Sequence, residues 1–328
     1  MNIQRPYLST ADLSVGYRRA SLENRLFEDL NVALRGGEMI CFMGPNGAGK
    51  SSLLRTLAGL QQPLAGKVNL HAGSPTENIS HQIAVVLTDR INAANLTVED
   101  ILNFGRYPYL GWSIHLNHED KRIIQRSVEQ VQVGPLLKKR LYELSDGQLQ
   151  MVMIARALAQ DTPTILLDEP TAHLDLNNRL EIMNLLRQLS RSMGKAILLA
   201  THELDLALQT ADLIWLTGNN RNIISGLPED LVLNGIFDEI FRFKGFDLQT
   251  GKVVHDAFRN KAIDLRGEGP AYLWTKNALE RNGYTVVRDE SAEISITLVQ
   301  ELPKSKWLIK KNNSVTEADS LEKLMNSL

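Results

Sequence analysis

The sequence predicts an α/β fold in which short strands alternate with amphipathic helices, followed by a small C-terminal α+β domain. Three observations predict it. Brief apolar runs bounded by glycines or acids recur at intervals that leave room for one helix each. A glycine-rich loop, GPNGAGKS at 44–51, joins one such run to a helix. The pattern then changes near FKGFDLQTGK, at 243–252, where a second set of strands begins.

Alternating runs at 7–17 and 26–34 predict two strands, and EMICFMG predicts a short buried strand ending in glycine. The helix GKSSLLRTLAGL and the strand IAVVLTD come next. TVED at 97–100 then reads as a helix cap and NHEDKRIIQRSVEQVQ as a charged amphipathic helix, so about 90–160 is predicted to be a helical subdomain. TILLDE, NRLEIMNLLRQLSRSM, KAILLATH, LDLALQTA and DLIWLTG resume the alternation. Strands separated by helices of this length imply a parallel sheet covered on both faces. The first domain is placed at 1–242 and the second at 246–328. In the second, AIDLRG, AYLWTKNALERNG, YTVVRD, EISITLVQ, KWLIKK and ADSLEKLMNSL read as strand, helix, three strands and helix. Trp274 and Leu279 fall at helical spacing and are predicted to be core, and GEGP at 267–270 reads as a plain turn. This domain is read as accessory, regulatory or dimer-supporting.

With 328 residues, 43% of them hydrophobic and 23% charged, the chain is long enough for roughly two domains. A formal net charge of -2 gives no bulk attraction to nucleic acid, and none is expected as a partner. Cys41 is the single cysteine, which excludes intrachain disulfides and cysteine-rich zinc sites and suits a reducing cytoplasm. Its apolar strand predicts that it is core. No run reaches the ~18 uncharged apolar residues of a membrane span, and MNIQRPYLSTADLSVGY lacks the apolar stretch of a signal peptide. The expectation is a cytoplasmic protein, neither spanning nor secreted, that can still dock on a membrane partner.

GPNGAGKS matches the pattern G-x-x-x-x-G-K-[ST] and lies between a strand and a helix, as a phosphate-binding loop must. Backbone N–H groups of Gly44, Pro45, Asn46, Gly47, Ala48 and Gly49, proline lacking its own, and of the helix start at Lys50, Ser51 and Ser52 make the cradle. Lys50 adds a point charge, and the Ser51 hydroxyl suits Mg²⁺. TILLDEP sets Asp168 and Glu169 at the end of an apolar strand, where open α/β sheets bind ligands. Asp168 would hold Mg²⁺ through water, and Glu169 would act as general base or orient the attacking water. The plain alternative is a strand-end pair of acids opening a turn at Pro170. His202, in LLATHE, would hydrogen-bond the γ-phosphate and that water, unless it is a structural histidine. In LSDGQ at 144–148, Ser145 and Gln148 read as a capping box, while the free N–H groups and Gly147 also suit an anion.

GPNGAGKS, LSDGQ, TILLDEP, TAHLD and the histidine of ATHE, in that order, resemble the ATP-binding-cassette (ABC) family over about 7–241. The resemblance implies a P-loop NTPase nucleotide-binding domain with a mixed sheet and a helical subdomain. It implies ATP and Mg²⁺ as cofactors, and hydrolysis of ATP to ADP and phosphate coupled to transmembrane transport. It further implies a head-to-tail homodimer in which Ser145 and the Gly147 N–H of one chain, beside Gln148, complete the γ-phosphate site of the other. Tyr17 in LSVGY matches the aromatic that stacks on adenine, with a half-buried strand tyrosine as the alternative. Asp175 in TAHLD matches the loop that bridges the protomers, with a plain turn before a helix as the alternative.

Two departures stand out. Asp89 occupies the position of a usual glutamine and either senses Mg²⁺ through water or pairs with Arg90 or solvent. Asp146 replaces the first glycine of the signature and Met151 a common basic residue, and as an acid in a first turn Asp146 must point away from an incoming phosphate. GRYPY at 105–109 is similar to importer ATPases serving iron chelates (siderophores), haem and cobalamin. Tyr107, Pro108 and Tyr109 are therefore candidates for a surface facing transmembrane permease subunits, or else they close a local minicore. This branch implies a solute-binding protein as an indirect partner and a peripheral position on the inner face of the cell membrane. The alternatives are a non-transport cassette, in translation or DNA repair, and a regulatory cassette with weakened catalysis. One phosphate loop and the absence of a long heptad run argue against the first, and retention of Lys50, Asp168, Glu169 and His202 against the second.

Overall fold

The structure, a computed structural model, describes residues 5–19, 22–71, 78–88, 95–111, 115–218, 221–242, 246–248, 252–253, 257–259, 261–289, 292–301, 304–311 and 314–328. The chain divides into two compact units, Met1–Arg242 and Phe243–Leu328.

The first unit opens with an antiparallel sheet of β1 (Leu8–Arg19), β2 (Leu22–Leu30), β3 (Ala33–Leu34) and, pairing with β1, β5 (Ala65–Leu70); β4 (Met39–Met43) and α1 (Lys50–Leu57) intervene. The run read as one strand at 26–34 is therefore two, and β5, six residues with none fully buried and only Val68 and Leu70 packed on the core, is too short and too open an alternation to have announced itself. After β6 (Ile83–Val86) come α2 (Val98–Phe104), α3 (His118–Val131) and α4 (Asp146–Ala159), the helical subdomain. Alternation then resumes with β7 (Thr164–Asp168), α5 (Leu176–Met193), β8 (Ala196–Ala200), α6 (Leu204–Thr210) and β9 (Leu213–Thr217). The unit ends with β10 (Ile223–Gly226), α7 (Pro228–Leu233) and α8 (Ile236–Phe241), three elements that the sequence reading passed over.

The main sheet has the order β10-β9-β4-β8-β7-β6. Its members are parallel except β10, so the sheet is mixed. Strands β4, β7 and β8 are buried at every residue, which explains why they read as continuous apolar runs rather than alternating ones. Cys41 is buried there, and its thiol is pushed far above the usual range by loss of solvent. Leu53, Leu54 and Leu57 of α1 fill a core shared with Leu8, Phe42 and Leu166, and Phe42 touches Phe27 and Trp215 edge-on or tilted at 6.1 and 6.3 Å. In the helical subdomain, α2, α3 and α4 each start at a capping box, on Thr97, Asn117 and Ser145. Gly105 lets α2 approach α4: a Cβ there would stand 2.6 Å from the Arg156 carbonyl oxygen.

The second unit holds a two-stranded pair, β11 (Phe246–Asp247) and β12 (Lys252–Val253), then β13 (Ala262–Arg266), α9 (Gly269–Arg281), β14 (Thr285–Val287), β15 (Ile294–Glu301), β16 (Lys304–Lys311), β17 (Ser314–Ala318) and α10 (Leu321–Ser327). Its five-stranded sheet has the order β14-β13-β15-β16-β17. Strand β17 is a correction to the three strands expected after α9. Four of its five residues are exposed, so it has no buried face to signal it. Trp274 is the second correction: it is 67% exposed, whereas Thr275, Ala278 and Leu279 are the buried face of α9. One residue along a helix turns the side chain by about 100°, enough to move Trp274 off that face. The tryptophan of this core is Trp307, whose indole N–H donates to Thr275 Oγ1 at 2.7 Å.

Candidate nucleotide site

Strand β4 ends at the loop 44–49, and two left-handed glycines, Gly47 (φ 78°) and Gly49 (φ 95°), curl the backbone into the start of α1. Gly44 must be glycine because a Cβ would lie 2.5 Å from the Thr217 methyl and 2.6 Å from the Thr217 carbonyl oxygen. The Lys50 ammonium spans the loop, donating to the carbonyls of Gly44 (2.9 Å) and Pro45 (3.1 Å), while Ala48 N–H donates to Pro45 O at 3.2 Å. Burial pulls Lys50 below the usual lysine value, opposed by the charges of Glu169 and Asp168.

Asp168 closes β7 and is buried. Burial pushes its carboxyl above the usual range and so does the charge of Glu169, while a hydrogen bond from Ser51, Arg55 and Lys50 pull it down. Its Oδ1 is buried without a hydrogen-bond partner. An unsatisfied carboxylate oxygen beside a serine hydroxyl is a hard-oxygen pair that fits Mg²⁺, a cation that takes few protein ligands and fills its shell with phosphate and water. Among the described residues no group of three or more His, Cys, Asp or Glu could hold a metal by itself.

Glu169 follows in the left-handed region (φ 51°), held by its N–H to the Ala200 carbonyl at 3.0 Å. This conformation disfavours a side chain with a Cβ and recurs at functional sites. It brings Glu169 Oε1 to 2.6 Å from His202 Nε2. Tyr17, 52% exposed, hydrogen-bonds Ser52 Oγ at 2.5 Å.

Tyr17, Asn46, Gly47 and Gly49 line an open cleft of about 420 Å³ together with Lys50, Ser51, Ser52, Glu169 and His202. Asn24 and Leu26 line it too. The sequence reading missed both, since only the register that sets Asn24 opposite Tyr17 brings them there.

Ser145, Gly147, Gln148 and Asp175 are not part of that cleft lining. Ser145 Oγ accepts from the Gln148 N–H (3.2 Å) and Gln148 Oε1 from the Ser145 N–H (3.3 Å). Gly147 packs against Asn178, where a Cβ would come within 2.8 Å, and Asp175 caps α5 by accepting from both the backbone and the side-chain nitrogens of Asn178 at 2.9 Å. The α4 start and the turn before α5 thus form one polar surface. Asp146 faces a small chamber of about 90 Å³ shared with Thr88, Asp168, Glu169 and His173. Thr88 donates to the Asp168 carbonyl at 2.9 Å. Asp89, a candidate cation ligand, lies outside the described residues. Tyr107 is 52% exposed, while Tyr109 stacks on His81 with ring centres 4.4 Å apart.

Residues 27–172 match the ABC transporter family, and residues 260–328 match the iron ABC transporter C-terminal domain. An uncharacterized ABC transporter ATP-binding protein of Methanocaldococcus jannaschii is 39% identical over 288 residues, covering 85% of this chain and 98% of its own. The iron(3+)-hydroxamate import ATP-binding protein of Bacillus subtilis is 32% identical over 262 residues, 79% of this chain and 94% of its own. Among solved structures, a provisionally assigned metal-chelate type ABC transporter in an inward-facing conformation superposes with a TM-score of 0.64 at 27% identity, over 73% of this chain and 90% of that one.

Proposed function

We propose, for a chain that belongs to the ABC transporter ATP-binding proteins, that two copies clasp ATP between them and that its hydrolysis drives uptake of an iron chelate, haem or cobalamin. The chain is an ATPase coupled to transport. One observation carries the two-copy reading: the phosphate loop, Tyr17, Glu169 and His202 share a cleft, whereas the exposed Ser145 and Asp175, the half-buried Gln148 and the buried Gly147 lie outside its lining, on the polar surface at the α4 start. A second copy, docked head to tail, brings that surface to the first copy's cleft.

Within the clasp, the loop N–H groups and Lys50 bind the β- and γ-phosphates and Tyr17 stacks on adenine. Ser51 and Asp168 would hold Mg²⁺, which would supply positive charge against the phosphates. Glu169 takes the proton of the attacking water, and His202 fixes the Glu169 carboxylate and the water. Ser145 Oγ and the Gly147 N–H donate to the γ-phosphate across the interface, and Asp175 bridges the copies. Asp89 is assigned as a water-mediated Mg²⁺ sensor from its place in the sequence.

The import reading draws on the match of residues 260–328 to the iron ABC transporter C-terminal domain and on relatives named for iron(3+)-hydroxamate and siderophore transport. Among the described residues no helix is long and apolar enough to cross a membrane. Transport therefore calls for permease subunits, here taken to be served by a solute-binding protein, with this chain on the inner face of the membrane and the exposed Tyr107 turned to the permease. The test is co-purification with a membrane permease, followed by ATPase assays with and without ferric hydroxamates, haem and cobalamin. A stable complex whose turnover rises with one solute is expected; no membrane partner and no stimulation would overturn import.

A further inference from the structure

We infer that Arg106 is a positioning residue that mounts α4 on the turn Tyr107–Tyr109, and so sets the place of Ser145 and Gly147 from the far end of their helix. The inference rests on the reading that these two residues meet a second copy's nucleotide.

Arg106 is 5% exposed and gathers three helix ends. Its Nε donates to Asp120 Oδ1 at 2.9 Å, and its Nη1 donates to the carbonyls of Ala159 (3.1 Å) and Gln160 (3.5 Å) at the negative end of α4. Asp120 Oδ2 accepts from the Asn117 N–H at 3.0 Å, closing the cap of α3. Arg106 itself follows directly on the C-cap of α2, Gly105. The same guanidinium lies 3.9 Å over the Tyr109 ring.

That ring stacks on His81, and His81 Nε2 donates to the Pro108 carbonyl at 2.9 Å. The turn is therefore fastened both to the Arg106 knot and to the short helix Ile79–His81 that precedes β6. The last turn of α4 is bound to the same region: Gln160 Nε2 donates to the carbonyls of Ser80 (2.6 Å) and Ile83 (3.0 Å), and Arg156 Nη1 to that of Val85 (3.0 Å).

These anchors sit at one end of a helix whose other end carries Ser145 on an exposed cap. Fourteen residues at ~1.5 Å each make a lever of about 21 Å, so a tilt of roughly 3° at the anchors moves the cap by ~1 Å. An ångström is enough to make or break a hydrogen bond to phosphate.

The experiment uses the full chain with Glu169→Gln and follows two quantities: ATP-driven self-association by sedimentation velocity with Mg·ATP, and binding of a fluorescent ATP analogue. Arg106→Lys and Tyr109→Leu are expected to weaken association at least tenfold while analogue affinity stays within twofold, and Tyr109→Phe, which keeps the ring, to associate like the parent. Ser145→Ala is the control. If it abolishes association but Arg106→Lys and Tyr109→Leu do not, the inference is wrong and the two-copy reading stands. If Arg106→Lys lowers analogue binding and melting temperature in step with association, the residue is merely structural and the inference is also wrong. If Ser145→Ala associates normally, or the parent stays monomeric, the two-copy reading falls and takes the inference with it.

Discussion

His202 Nε2 meets Glu169 Oε1 at 2.6 Å just beyond the paired ends of β7 and β8, where Asp168 lies opposite Ala200. The pair exists because Glu169 adopts a left-handed backbone at the strand exit and the next strand delivers His202 two residues past its own end.

Glu169→Gln keeps the shape and removes the proposed base, so turnover should fall by about 10²–10⁴-fold while ATP binding persists. His202→Ala should also slow turnover, and the double variant should be little slower than Glu169→Gln, because groups acting as a unit are not additive. Steady-state ATPase rates of the three variants check this.

Asp168→Asn should raise the melting temperature of the nucleotide-free protein by about 2–4 °C for each kcal/mol relieved, since the raised carboxyl reports an ion held in a buried place. The sign is set by the native state binding the proton more tightly than the unfolded chain. The wild type loses stability as pH rises from the ordinary 3.8 through the raised value, so the advantage of Asn is absent below that window and complete above it. The same variant should lose the stabilisation that Mg·ATP confers on the wild type. Thermal melts across pH, with and without Mg·ATP, measure both effects.

Gly44→Ala drives a methyl into the Thr217 carbonyl, a backbone atom with nowhere to go. It should cost about 1–3 kcal/mol and weaken ATP binding, because the Gly44 carbonyl is one of the two that hold Lys50. Gly47→Ala meets nothing within 4 Å and strains only its φ of 78°, so it should be the milder change. Chemical denaturation and nucleotide titration separate the two.

Asp89→Ala should raise the Mg²⁺ concentration needed for half-maximal turnover several-fold, with little effect on ATP binding in the absence of Mg²⁺. A Mg²⁺ titration of ATPase activity decides it, and an unchanged curve removes Asp89 from the cation site.

Much of this protein is written locally. Ser145 with Gln148 and Thr97 with Asp100 announce their helices because a cap is made within three residues. The runs MICFM and TILLD announce buried strands because their residues are apolar except for Thr164 and Asp168, which stand at the two ends of TILLD. The glycines of 44–49 announce a tight loop between strand and helix because side chains rarely adopt the angles of Gly47 and Gly49 and none fits as close to Thr217 as Gly44 lies.

Other features wait for the chain to fold back on itself. Strands β5, with no fully buried residue, and β17, mostly exposed, exist because β1 and β16 offer them ladder partners, and the tryptophan buried in the second unit is Trp307 rather than Trp274 because helix phase decides which side chain faces the sheet. Asn24 enters the cleft through its register with Tyr17, and Arg106 meets Asp120, Tyr109 and the Ala159 carbonyl through the packing of three helices. Caps, loops and buried runs are determined by neighbours three or four residues away, and so the sequence alone settled them. Registers, strand order and the Arg106 knot join groups dozens of residues apart, and only burial of the whole core holds such groups together.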